Sequence, residues 1–346
     1  MKISTTVVAL VVLLFGGSAS AAPPFSSLIV FGDSLSDAGD NPSAVNSLYK
    51  ELGGNCDPLH PCLPSQLGPS YDGGRFSNGP VASEYLAKNL FPAGVNTANF
   101  QDYAVAGATS GNHNIGNDAD PTGILNLPGM QQEVNLYMNN TSGMADPNAL
   151  YFVWGGSNDY LIHDSPVQAA RNIGSYVNVL AAAGARNFLV PNLPDLGLTP
   201  SARMDGEVSQ AHDYSVVFNT ELASQLGSLD GTFSGVNIHR FDTFSLLNDV
   251  AQNPVNYGLT DVTNPCFTLL GSTCDNPEVR LFWDDFHPTT HGHAILGAAA
   301  FAAAVPEPAA IFMFMLGLLV LASAVSRRQK AMPGRRRQLQ AHMLKW

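Results

Sequence analysis

The stretch Ser27-Leu28-Ile29-Val30-Phe31, followed by Gly32-Asp33-Ser34-Leu35-Ser36-Asp37, is the most informative part of this 346-residue sequence. A short unbroken apolar run halted by glycine reads as a strand buried on both faces, the habit of parallel sheets. Gly32 lets the chain turn sharply, and Ser34 follows two residues later, where the pattern predicts a helix start. A serine there is exposed beside free backbone N–H groups that can receive an oxyanion. The simpler alternative is that Ser34 only caps that helix.

Working outward, similar apolar runs occupy residues 98–104, 150–154, 187–191 and 236–241, with a strand-like run at 279–283. Helix-like segments lie between and after them, at 81–90, 131–138, 167–183, 209–226, 243–252 and 289–304. Strand–helix alternation at this spacing predicts an α/β fold with a parallel sheet covered on both faces. Stretches rich in Gly, Pro and Asn at 41–75, 107–128 and 254–278 are expected to be long loops. In open parallel sheets, the loops after the carboxyl ends of strands build the site.

Composition narrows the class. Hydrophobic residues make up 45% and charged residues 13%, which excludes a disordered chain and argues against a nucleic-acid binder. The formal charge of −12 is unevenly spread. Arg327, Arg328, Lys330, Arg335, Arg336, Arg337 and Lys345 crowd the last 20 positions, and Lys2 stands at the start. The stretch between holds all 28 acids against 8 bases, about −20, an acidic body between two basic ends.

Both ends read as targeting segments. Lys2, the apolar run 7–15 and Ala19-Ser20-Ala21 make a secretory signal, expected to span 1–21 and to be removed. Near the other end, residues 309–325 carry no charge and are just long enough for a transmembrane segment. Arg327 and Arg328 follow, where the positive-inside rule keeps that end cytoplasmic and the body outside. A buried core helix is the alternative, though such helices rarely lack a polar face for five turns.

Val305-Pro306-Glu307-Pro308 precedes the run, so the order over 305–328 is Pro-Glu-Pro, apolar span, Arg cluster. This order resembles the PEP-CTERM sorting signal of Gram-negative bacteria. The resemblance implies an exosortase-type sorting partner, membrane contact before any cleavage, and delivery to the cell envelope or the extracellular space. The further basic tail, 329–346, departs from that pattern. The cysteines fit export. Cys56 and Cys62 are near each other, as are Cys266 and Cys274, and neither pair has zinc or redox spacing. Two local disulfides are the simplest of three connectivities, with free buried thiols as the alternative.

A serine nucleophile needs a base, and the base an orienting acid. Trp283-Asp284-Asp285-Phe286-His287-Pro288 offers both on one loop, Asp284 and His287 being three residues apart, with Pro288 at the start of the last helix. His287 and His291 are four apart, a spacing that also suits a metal, but no HExxH is present. We expect His293 to be a structural hydrogen-bonding residue and His291 a solvated one. Gly155-Gly156-Ser157-Asn158-Asp159, after the run 150–154, suits a tight turn presenting the Asn158 amide. Gly107, in Ala104-Val105-Ala106-Gly107-Ala108, allows close backbone approach to a ligand.

Together, Gly32-Asp33-Ser34-Leu35, Gly107, Gly156-x-Asn158-Asp159 and Asp284-x-x-His287 resemble the GDSL, or SGNH, hydrolase family. Gly74-Arg75-Phe76-Ser77-Asn78-Gly79-Pro80 is similar to its lipase-type members. The resemblance implies a three-layer α/β/α sandwich with a flavodoxin-like parallel sheet over a domain of residues 22–304. It implies Ser34 as nucleophile, His287 as base, Asp284 as its orienting acid, and an oxyanion hole of Ser34, Gly107 and Asn158. No cofactor or metal is implied, and the substrate is a lipid or other ester. Independently, the body lacks the G-x-S-x-G elbow of the common α/β-hydrolases. Three readings stay open beside a secreted esterase: a lipid acyltransferase, a polysaccharide deacetylase, and a non-catalytic envelope or matrix binding protein.

Overall fold

The computed structural model describes residues 24–53, 71–120, 122–267, 273–305 and 322–323, and in it five of the six apolar runs form one sheet. The strands are β1 (Leu28–Gly32), β2 (Phe100–Asp102), β3 (Leu150–Trp154), β4 (Asn187–Pro191) and β5 (Asn237–Phe241), ordered β2-β1-β3-β4-β5. All pairings are parallel, with Leu28 opposite Phe100 on one side and Leu150 on the other. This is the flavodoxin-like strand order, and it reverses direction between β1 and β3, where such sheets open a crevice for ligands.

The helices are α1 (Leu48–Glu51), α2 (Ala82–Leu90), α3 (Met130–Asn140), α4 (Ser157–Leu161), α5 (Pro166–Ala182), α6 (Pro200–Met204), α7 (Val208–Leu229), α8 (Thr243–Gln252) and α9 (Thr290–Ala304). Side chains alternate across a strand. One face of the sheet, with Ile29, Phe31, Tyr151, Val153, Phe188 and Val190, therefore buries its apolar atoms against α3, α5 and α7. Helices α2 and α9 pack on each other, and α9 covers β4 and β5. Local signals set several boundaries. Ser165 caps α5 with Pro166 in its first turn, and Asp242 caps α8 through the Ser245 N–H.

Three expectations need correcting. Residues 279–283 do not join the sheet. Leu281 N–H donates to the Asp261 carbonyl, while the Phe282 and Trp283 carbonyls accept from Cys266 and Phe267. The run is extended, but its partner is the 260–267 loop, which apolar periodicity alone cannot reveal. Ser34 does not open a helix, because one turn follows β1 and Gly39 (φ +58°) then redirects the chain. Finally, α9 starts at Thr290, and the Thr289 hydroxyl accepts from Gly292 N–H as its cap, so Pro288 lies outside the helix.

Contacts divide the chain into Met1–Ala304 and Val305–Trp346. The expected signal at 1–21, the Cys56–Cys62 pair, the span 309–325 apart from 322–323, and the tail 329–346 lie outside the described residues. Among the described residues no helix is long and apolar enough to cross a membrane.

Candidate active site

Ser34 stands two residues past β1 in a single tight turn. The Asp33 carbonyl accepts from Ser36 and Asp37 N–H at 2.9 Å each, and the Asp33 carboxyl takes Leu35 N–H at 3.0 Å. The Ser34 N–H itself has no partner among the described residues. Buried carboxyl groups hold this turn to its neighbours. Glu133, from α3, accepts Gly32 N–H at 2.9 Å and Val105 N–H at 3.2 Å, so one side chain links the exits of β1 and β2. Asp37 accepts from Gly39, Leu48 and Ala106 N–H at 2.8, 2.9 and 2.8 Å. Asp102 takes Ala38 and Ala104. Burial pushes these groups up against the pull of their backbone donors, Asp37 to about 6 and Glu133 and Asp102 well above their ordinary values.

Gly107 has φ +83°, and a Cβ there would stand 2.5 Å from Asn114 Oδ1, so only glycine fits without displacing that side chain. Its N–H also lacks a partner among the described residues. After β3, Gly156 turns the chain with φ +113° into α4, whose second residue is Asn158. The Asn158 amide donates one hydrogen to the Ala108 carbonyl at 2.9 Å, which orients the group and leaves the other hydrogen free to point elsewhere. Asp159 takes the Ser110 N–H and hydroxyl at 2.8 and 2.6 Å, tying α4 to the segment after Gly107.

His287 arrives from a different kind of support. Its loop leaves the 279–283 run and returns at α9, closed by Trp283 N–H to the His287 carbonyl and Thr289 N–H to the Leu281 carbonyl. The Cys266–Cys274 disulfide closes the neighbouring loop, on whose Phe267 the Trp283 ring stacks. From the other side, the Ser77 hydroxyl donates to the Pro288 carbonyl and Asn78 accepts from Thr290 N–H. Arg75 stiffens that segment through paired bonds to Glu84 at 2.8 and 3.0 Å and a third to Asp40.

These supports bring together three predicted residues that are far apart in sequence. Ser34 Oγ lies 2.7 Å from His287 Nε2, and His287 Nδ1 lies 2.8 and 3.0 Å from the Asp284 oxygens. With a carboxylate facing Nδ1, the neutral ring carries its proton there and offers Nε2 to the hydroxyl. Asp284 also accepts from Phe286 and His287 N–H and from the Tyr71 hydroxyl at 2.5 Å. Burial acts to raise Asp284, but the His287 ring, Tyr71 and the backbone donors outweigh it, and its pKa lies below the usual value. Burial likewise opposes charge on His287. The adjacent Asp284 carboxylate overcomes it, and the His287 pKa lies above its ordinary 6.5.

Ser34, Gly107, Asn158 and His287 line one cleft of about 380 Å³, walled by Leu48, Phe76, Ile115, Leu161 and Phe286. A hydroxyl poised on a base, beside two unpartnered N–H groups and an amide, is arranged to attack a carbonyl carbon and hold the resulting oxyanion.

The remaining histidines go elsewhere. His293 is buried, accepts from Ala82 N–H at 3.2 Å, and is pushed down to about 3 by burial. His291 is half-buried, not solvated as expected, and its Nε2 donates to the Tyr257 carbonyl at 2.8 Å. Among the described residues no group of three or more His, Cys, Asp or Glu side chains could hold a metal ion. Sequence reasoning missed Tyr71, Glu133 and Asp37. Asp37 stood in plain view three residues after Ser34. Glu133 and Tyr71 carried no signal, since one is an ordinary helix position and the other a loop aromatic.

The family described as GDSL-like lipase/acylhydrolase matches residues 28–300, and the PEP-CTERM protein-sorting motif matches residues 304–329, which points to export in Gram-negative bacteria. The chain is 30% identical over 341 residues to a phosphatidylcholine-sterol acyltransferase of Aeromonas hydrophila, covering 84% of this chain and 91% of that protein. It is 31% identical over 316 residues to esterase EstA of Pseudomonas aeruginosa, covering 79% of this chain and 46% of the relative. An uncharacterized protein of the trpE-trpG intergenic region of Pseudomonas putida is 32% identical, with 80% and 48% covered. The chain thus spans about half the length of these Pseudomonas relatives.

Among solved structures it is similar to a lipolytic protein of the G-D-S-L family from Veillonella parvula, with TM-score 0.42, 12% identity, and 79% and 95% of the two chains covered. The lipase/acylhydrolase of Enterococcus faecalis gives TM-score 0.42 at 12% identity, with 80% and 93% covered. With its first strand exit, its second and third turns and its histidine loop all inside the matched region, the chain belongs to the GDSL-like lipase/acylhydrolase family.

Proposed function

We propose that this protein is an exported serine esterase that cleaves carboxylic esters, of lipids or of short acyl chains, through an acyl-enzyme on Ser34. The observation that carries the reading is the continuous relay Ser34 Oγ–His287 Nε2–His287 Nδ1–Asp284, at 2.7 and 2.8 Å, beside unpartnered N–H groups of Ser34 and Gly107. His287 takes the Ser34 proton as Oγ bonds to the ester carbonyl carbon. The carbonyl oxygen becomes an oxyanion held by Ser34 N–H, Gly107 N–H and the Asn158 amide. The C–O bond to the alcohol then breaks, and the proton on Nε2 passes to the departing oxygen. Water, deprotonated by His287, attacks the acyl-enzyme, and Ser34 leaves with its proton restored. Asp284 keeps the ring in the productive tautomer and stabilises the imidazolium in both halves.

Replacing Ser34 by Ala tests the assignment. Turnover of a chromogenic short-chain ester should fall by more than about 10³-fold with unchanged melting temperature. Wild-type turnover by Ser34→Ala would refute it.

A second reading, acyl transfer to an alcohol, is favoured by the relative named as a phosphatidylcholine-sterol acyltransferase, 91% of whose length is covered. The two differ only in what attacks the acyl-enzyme. The ratio of free acid to new ester, measured with a sterol or other alcohol acceptor present, separates them. The sorting motif supports delivery to the envelope or extracellular space, and an exosortase-type machinery is the partner we propose for it.

A further inference from the structure

Resting on the esterase reading, the two sides of the cleft differ in charge. In the proposed reaction the alcohol departs toward His287 Nε2, so the leaving group lies on the histidine side. That side is formed by Phe76, whose ring centroid is 4.9 Å from the His287 ring, Phe286 at 5.6 Å, and Asp285 and Ser201. The other side chains of the lining, among them Leu48, Ile115, Ala119 and Leu161, carry no charge.

Asp285 is half-buried, and its peptide is fixed because its carbonyl accepts Ser201 N–H at 2.8 Å. Beyond its own backbone N–H, its carboxylate has no ion-pair or hydrogen-bond partner among the described residues. The charges nearest to it, apart from His287, have the same sign, Asp284 and Asp205. Among the described residues no Lys or Arg lines the cleft, and Arg203, two residues after Ser201, turns its Nε to the Leu198 carbonyl. Asp284 is already matched by His287 and Tyr71, whereas Asp285 has only the charge of His287, already paired with Asp284, to set against it among the described residues.

A carboxylate without an ion-pair partner of its own, lining the same cleft as two phenyl rings, is the environment that a weakly hydrated organic cation finds favourable, through Coulomb attraction and ring quadrupoles together. We propose that Asp285, Phe76 and Phe286 form a subsite for a cationic leaving group, so that the favoured substrates are esters of quaternary-ammonium alcohols. The selectivity belongs to the alcohol and not to the acyl chain. Anionic alcohols are repelled, and neutral ones are accepted without preference.

The test compares three butyrate esters on the purified full chain: butyrylcholine, its uncharged isostere 3,3-dimethylbutyl butyrate, and the ester of 3-hydroxypropanesulfonate. Butyrylcholine should exceed the isostere in kcat/KM by about tenfold, and the sulfonate should lie about tenfold below it. Asp285→Asn should bring all three toward parity while the isostere is still hydrolysed. Equal rates in the wild type, or ratios unmoved by Asp285→Asn, would overturn the subsite. Should that variant not fold, the wild type still decides. Choline must then inhibit hydrolysis of the isostere competitively, and more strongly than 3,3-dimethylbutanol does, or the proposal fails. If no ester is turned over in a Ser34-dependent way, the esterase reading itself falls and the subsite falls with it.

Discussion

The two halves of the candidate site are held in place by different physics. Ser34, Gly107 and Asn158 come from three adjacent turns at the carboxyl edge of the sheet, and buried carboxyl groups of Glu133, Asp37, Asp102 and Asp159 collect their backbone N–H groups. His287 and Asp284 come from a loop outside the sheet, held by a disulfide-closed neighbour, the Ser77–Asn78 segment and Tyr71. The half that carries Ser34 is therefore held through deeply buried polar bonds that cost about 1–3 kcal/mol each when one partner is lost. The half that carries His287 is held through covalent closure of a neighbouring loop and through bonds that are mostly part-buried. Damage to the first half should strike turnover harder than damage to the second.

That contrast can be broken at several points, in decreasing order of effect. Asn158→Ala removes the proposed side-chain oxyanion donor and should lower kcat by about 10²–10³ with little change in KM. A loss below tenfold would mean that the amide does not face the oxyanion. Glu133→Ala touches no substrate, yet it unties Gly32 from Val105. We expect kcat to fall by about 10–100-fold, because small misplacements are costly, and stability by about 2–5 kcal/mol in urea unfolding. If only stability falls, the link between β1 and β2 is architectural alone.

On the other half, Cys266→Ser with Cys274→Ser should cost about 2–3 kcal/mol of stability by loop-closure entropy, and less than tenfold in kcat. A larger loss of turnover than for Glu133→Ala would reverse the comparison. The mildest change is Tyr71→Phe, with a few-fold loss of kcat and a shift in pH profile. His287 must be neutral to accept a proton and its pKa is raised, so the acid limb of kcat/KM lies above 6.5. Without the Tyr71 hydroxyl, the Asp284 charge falls more fully on the ring, the His287 pKa rises further, and the acid limb moves to higher pH. A shift to lower pH would show that Tyr71 acts otherwise.

The same division explains what could be read from residues alone. Strand order and helix faces follow from local signals, since a buried parallel strand is an apolar run and a covering helix repeats its apolar positions. The turns after β1, β2 and β3 were legible because each needs glycine at a stated place. The run 279–283 was misread because extended backbone looks the same whether its partner is a sheet or a loop. Glu133 was invisible for a related reason. Its bonds reach 101 and 28 residues away, to Gly32 and Val105, and no spacing rule joins such positions. Ser34 was read as a helix start, but the Asp33 carbonyl closes one turn and the Asp37 carboxyl captures Gly39 before a second can form.

The 253-residue separation of Ser34 and His287 has a temporal consequence. On the proposed mechanism, a chain that is made and exported from its N-terminus presents the nucleophile early and the base almost last. Until the final fifth of the body has emerged and folded back over the sheet, the hydroxyl has no proton acceptor. On that proposal the chain stays chemically silent through most of its export, and first turnover doubles as a report that folding is complete.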